Sequence, residues 1–164
     1  MMFCRAALIA LVASSASAKE QGAESGPFQI LSCDMGKGRV LAVHIDQGVG
    51  YYSFGPAAAP ELSLAQDLRD ISGTAWNGIG RSIWEDITFE NEGYSYRVWY
   101  AIDRLVEGHP TDGGVAVLKG NQEVASLECV KGTAEVGGFG VSDGFEAAGL
   151  CWNPEVQRFE DGCD

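Results

Sequence analysis

Apolar and polar residues alternate along most of this chain in short runs, and glycine, asparagine or acidic residues break the runs apart. Alternation with period two places every second side chain on one face, the mark of half-buried strands. The runs predict strands at about 28–34, 38–46, 50–54, 61–65, 82–91, 94–104, 114–119 and 122–130. One hairpin reads in register. A turn at Glu92-Gly93 pairs Asn91 with Tyr94, which sets Phe89 opposite Tyr96, Ile87 opposite Val98 and Ile83 opposite Ile102. Thr88–Arg97 and Glu90–Ser95 then share the other face, and a slip of one residue would mix the two. Only Glu85, opposite Tyr100, interrupts the apolar face, and its place near a strand end assigns it to the rim of a barrel. In 38–46, Leu41, Val43 and Ile45 form one face, while Val40, Ala42, His44 and Asp46 form the other. In the last hairpin, a three-residue loop at Gly120-Asn121-Gln122 sets Val117 against Ala125, Val115 against Leu127 and Lys119 against Glu123. A two-residue loop is the alternative.

The pattern changes after Cys129. Asp143 followed by Glu146 resembles a capping arrangement, so a short helix is expected there, with Pro154 preventing its continuation. Abundant glycine (22 residues) and the succession of short strands make the fold mainly β: a small antiparallel eight-stranded barrel with a short helix and a disulfide-stapled C-terminal tail.

The N-terminus follows another rule. Arg5 precedes an apolar run from Ala6 to Val12, and Ala16-Ser17-Ala18 forms a small-residue cleavage site, so residues 1–18 read as a signal peptide. The run falls short of the ~20 residues a membrane-spanning helix requires. Lys19 and Glu20, rather than a lipidated cysteine, follow the site. The expected organisation is 1–18 signal peptide, 19–27 flexible leader, 28–130 barrel and 131–164 a C-terminal extension packed on it. The expected location is the periplasm or outside the cell, without membrane insertion.

Removing residues 1–18, Cys4 among them, leaves Cys33, Cys129, Cys151 and Cys163. An even count in an exported chain points to disulfides. Of the three connectivities, Cys33–Cys129 with Cys151–Cys163 is favoured, because the first joins the first and last strands and the second staples a tail poor in apolar residues. The net charge of −12 becomes −13 once Arg5 leaves. Such acidity repels nucleic acid and anionic membranes and favours a basic partner.

Conventional catalytic signals are weak. His44 and Asp46 share a strand face and could orient an imidazole as a base, but no nucleophile accompanies them. His109 sits in the loop Glu107-Gly108-His109-Pro110 without identifiable partner ligands. Asp86 and Glu90 fall diagonal to Arg97 across the hairpin, which explains them as surface charge pairs. Gly137-Gly138-Phe139-Gly140 lacks the Lys-Ser/Thr ending of a phosphate loop. The reading is therefore a non-enzyme without cofactor or metal. The most distinctive stretch is Ile71 to Asp86, where Trp76 and Trp84 flank a loop rich in glycine, serine and arginine. Recognition loops use aromatics in that setting because they bury area while losing few rotamers. The candidate binding residues are Ser72, Gly73, Trp76, Arg81 and Trp84.

Three segments together resemble the periplasmic and membrane-bound inhibitors of C-type lysozyme, a family of small eight-stranded barrels. Leu31-Ser32-Cys33-Asp34 leading to Leu41–Asp46 is similar to the family's opening; Ser72-Gly73-Thr74-Ala75-Trp76 is similar to its Ser-Gly-x-x-aromatic loop; and Val115–Lys119 through Leu127-Glu128-Cys129 is similar to its closing strand pair. The resemblance implies a barrel, a bond between the first and last cysteines, and inhibition of a basic wall hydrolase such as lysozyme. Where the family follows its tryptophan with Lys-Gly, this chain has Glu85-Asp86 after Trp84. The alternative reading is a periplasmic protein binding a small ligand at the barrel mouth near Glu85 and Tyr100, or an envelope protein of unknown function.

Overall fold

A computed structural model describes residues 26–138 and 140–163. The expected signal peptide and most of the expected 19–27 leader lie outside the described residues. Within them the chain folds as two antiparallel meanders, followed by a short helix and a hairpin.

The first sheet runs in the order β1 (Phe28–Gly36), β2 (Arg39–Asp46), β3 (Val49–Gly55) and β4 (Leu62–Asp67). The second runs β5 (Ser72–Thr74), β6 (Ser82–Asn91), β7 (Tyr94–Asp103), β8 (Thr111–Lys119) and β9 (Gln122–Glu128). Two-residue turns at Lys37-Gly38, Gln47-Gly48 and Glu92-Gly93 close three of the hairpins. Both central residues of each turn have positive φ, the geometry that matches strand twist and is easiest with glycine second. The β6–β7 register is the one expected from the sequence, from Asn91↔Tyr94 through Phe89↔Tyr96 and Ile87↔Val98 to Ile83↔Ile102. Between β8 and β9 the turn has two residues, with Lys119 opposite Gln122 instead of Glu123. An irregularity between Val117 and Leu118 then restores Val117↔Ala125 and Val115↔Leu127.

The inner faces of the two sheets meet. Leu41, Val43, Ile45 and Tyr52 pack with Ile87, Phe89, Val98, Tyr100 and Val115 in one buried cluster. Gly50 permits the close approach: a Cβ there would lie 2.7 Å from Ile71 Cδ1 and 3.2 Å from the Phe89 ring.

The sheets do not close into the expected eight-stranded barrel, because both seams are made by something other than strand pairing. On one side β5 is only three residues long, and the Gln66 side chain bridges the gap instead. Its amide donates to the Glu90 carbonyl at 2.6 Å and accepts the Glu90 N–H at 3.2 Å. On the other side the chain leaves β9 and runs along the edge of β1. Val130 donates to the Asp34 carbonyl, Ser32 and Glu135 exchange two backbone bonds of 2.9 Å, and Gly137 donates to the Gln29 carbonyl. All seven residues of β9 are consequently exposed.

Both favoured disulfides are present. Cys33–Cys129 ties β1 to the end of β9, with Cα atoms 5.6 Å apart, and Cys151–Cys163 has Cα atoms 5.2 Å apart. The tail is more ordered than a loop, since β10 (Leu150–Asn153) and β11 (Arg158–Asp161) form a hairpin. Helix α1 (Val141–Ala147) begins before Asp143, with Gly140 at its N-cap and no side-chain cap. It ends because Gly149 takes φ +80°, well before Pro154. Val141 and Phe145 enter the core, and Phe145 stacks on Phe159 of the tail hairpin at 4.2 Å.

Candidate functional site

The five candidate residues belong to different environments. Ser72 and Gly73 are strand residues of β5, not loop. Ser72 is exposed opposite Thr88, whereas Gly73 is buried under α1, where a Cβ would meet Val141 Cγ1 at 3.2 Å and Phe145 Cζ at 3.3 Å. The loop proper is 75–81. Within it Trp76 is half-buried, its indole N–H donates to the Ile79 carbonyl at 3.1 Å, and the Arg104 guanidinium lies 5.0 Å from the ring centre. Asn77 Oδ1 accepts the Ile79 N–H, which holds the loop tip in a tight turn. Arg81 is paired with Asp103 at 2.6 Å, and this bond raises the guanidinium pKa while lowering that of the carboxylate. Trp84, 41 % exposed, projects from the outer face of β6 opposite Ala101. Its face of the sheet is thus opposite to that of Glu85.

Three residues missed in the sequence lie at the same end of the β6–β7 hairpin. Ile79 is 76 % exposed, Leu105 is 70 % exposed, and Val106 follows it. The loop holding Leu105 and Val106 is fastened to the Trp76 loop by Arg81–Asp103, by the Arg104 N–H to the Arg81 carbonyl, and by Arg104 over Trp76. A signal was available: Leu105-Val106 are large apolar residues placed beyond the last paired strand residue and before Gly108. Exposed apolar residues at the tips of two mutually braced loops are what a recognition surface requires.

Glu85 is not at a rim. It is 1 % exposed and accepts hydrogen bonds from the Tyr100 hydroxyl, the Ser142 hydroxyl and the Ser142 backbone N–H at 3.2 Å, with a weaker contribution from the Trp76 backbone N–H. Burial raises its pKa above the usual carboxylate value, and these bonds offset part of the rise. Tyr100 is raised too, by burial first and then by the Glu85 charge. The space assigned to a barrel mouth is therefore covered by α1. Asp86 lies on the other face, where Thr74 Oγ1 donates to it at 3.3 Å; burial raises its pKa, and Arg97 acts in the opposite sense.

His44 lies flat against Tyr51, with ring centres 4.7 Å apart and planes at 8°; among the described residues no hydrogen bond joins it to Asp46. His109 Nδ1 lies 3.4 Å from the Asp103 carbonyl oxygen in the 104–110 loop. Among the described residues no group of three or more His, Cys, Asp or Glu side chains is placed to hold a metal ion, and no helix is long and apolar enough to cross a membrane. Comparison with protein-family models, with curated proteins and with solved structures finds no match for this chain.

Proposed function

We propose that this chain is an exported binding protein, periplasmic or secreted, whose interface is the end of the molecule built from residues 75–81 and 104–109. The observation that carries the reading is the exposure of Ile79, Leu105 and Val106 on two loops braced around Trp76. Apolar residues in a soluble context cost solubility, and their placement on rigid supports is best explained by a partner that covers them. Two disulfides suit an oxidising compartment. The partner proposed is a basic wall hydrolase of the C-type lysozyme kind, as the resemblance of the opening and closing strands implies and as a net charge of −12 favours. In this reading Trp76, Ile79 and Leu105 form the apolar centre, and Asp103 and Glu107 belong to its charged rim.

Titration with a purified C-type lysozyme tests the proposal, with residual cell-wall hydrolysis measured in parallel. Saturable binding is expected, with an association rate that falls steeply as salt rises, because exposed charges are screened beyond about 8–10 Å at 0.1–0.15 M ionic strength. Binding indifferent to salt would remove the electrostatic part of the argument. Absence of binding at every ionic strength would remove lysozyme as the partner.

A further inference from the structure

Glu85 stands in β6 on the face that also carries Ile87 and Phe89, a place where an acid is costly unless every lone pair is engaged. Its four donors come from three separate elements. Tyr100 belongs to β7, Ser142 to the first turn of α1, and the weakest donor, the Trp76 N–H, to the loop after β5. A single carboxyl group thus fastens the candidate binding loop and the C-terminal helix to the same point of the sheet. Among the described residues, the groups around it supply hydroxyls and amides rather than a counter-ion. Asp143 of α1 bears on Tyr100, Arg104 reaches the Trp76 ring from the 104–110 loop, and Asp86 with Arg97 lies on the opposite face of the sheet.

We propose that Glu85 is a proton-controlled latch and the positioning residue of the Trp76 loop: carrying its proton it holds loop and helix closed, and losing the proton as pH rises loosens both together. The two hydroxyls can rotate, so Tyr100 or Ser142 accepts the acid's proton when it is present and donates when it is absent. Closure therefore tolerates either state, and desolvation decides between them. The closed site withholds water from the carboxyl group, whereas an opened site hydrates it. The closed form binds the proton more tightly, and by linkage protonation favours closure. The contribution to closure is complete below the carboxyl's value in the open, hydrated form and is lost as pH rises through its raised value in the closed form. The consequence for partner binding rests on the function proposed above; the latch itself does not.

Amide hydrogen exchange on the mature, disulfide-bonded chain tests the latch without any partner. Protection of residues 75–81 and 141–149 is followed between pH 4 and 8, corrected for intrinsic exchange and referenced to β7 and β8. Protection of both segments is expected to fall together as pH rises, about tenfold for each pH unit by which the closed-state pKa exceeds the open-state one. Glu85→Gln removes the ionisation and should keep both segments protected at every pH. Ser142→Ala deletes a hydrogen bond that lowers the carboxyl's pKa, so it should tighten proton binding in the closed form and move the midpoint of the loss to higher pH. Protection that is flat or rises with pH in the wild type overturns the proposal. So does independent loosening of the two segments, or an unmoved midpoint in Ser142→Ala. Failure of lysozyme binding would leave these readings intact, so the two proposals fail separately.

Discussion

Trp76 is where the two roles of an aromatic side chain can be told apart. Its ring is half-buried, one face lies under Arg104, and its N–H is satisfied locally by Ile79, so the side chain belongs to the loop more than to the inter-sheet core. Trp76→Ala is therefore expected to weaken partner binding by about 2 kcal/mol or more. Its cost in stability should stay below the about 3–5 kcal/mol typical of aromatic truncations in a core. Urea melts and binding titrations on that one variant check both halves. An early melt with normal binding by the folded fraction would return Trp76 to the scaffold. Gly73, by contrast, leaves the interface: it is buried beneath α1, where a Cβ would press tightly on Val141 and Phe145. A residue-level motif such as Ser-Gly-x-x-aromatic does not reveal that its first half pairs as strand and only its second half forms a loop.

At the scale of elements, α1 is short, and its position depends on contacts rather than on helix propensity. Gly144 faces β2 so closely that a Cβ would lie 2.6 Å from Ile45 Cδ1, while Phe145 is held between the core and Phe159. Gly144→Val should push the helix off the sheet at a cost of about 1–3 kcal/mol, the range for overpacking. The measurements are the urea midpoint and hydrogen exchange across 141–149. An unchanged midpoint would mean that the helix docks without that close approach. The β6–β7 hairpin is the opposite case, since its apolar pattern and two-residue turn leave a single register available, and that register is the one observed. The start of α1 could not be read in the same way. Asp143 resembles a cap, but Ser142 is drawn to Glu85 across a sequence separation of 57 residues, and the first turn forms around that contact.

For the molecule as a whole, the two covalent links close loops of very different size. Cys33–Cys129 spans 96 residues and Cys151–Cys163 spans 12. In the chain-entropy account the first restricts the unfolded chain by about 4–5 kcal/mol and the second by roughly 3. Replacing Cys33 and Cys129 by serine should therefore lower the urea-derived stability more than replacing Cys151 and Cys163. The reverse order would show that the tail hairpin, with Arg69–Asp161 and the Phe145–Phe159 stack, holds the core more firmly than the link between β1 and the end of β9.

Local alternation alone determined the eight long strands, the face of β2 that is buried, and the β6–β7 register, because each depends on neighbours a few residues apart. The two disulfides were also legible, since the four cysteines after residue 18 leave only three pairings and the strands place two of them at opposite ends of the domain. Only the tertiary structure decided how the sheets meet. A side-chain amide at Gln66 and the backbone of 130–137 take the places where a barrel would pair strands, and such substitutes carry no periodic signal. The same holds for Glu85. Its spacing assigned it a face, but whether that face ended in water or under a helix depended on α1, which returns from the far end of the chain.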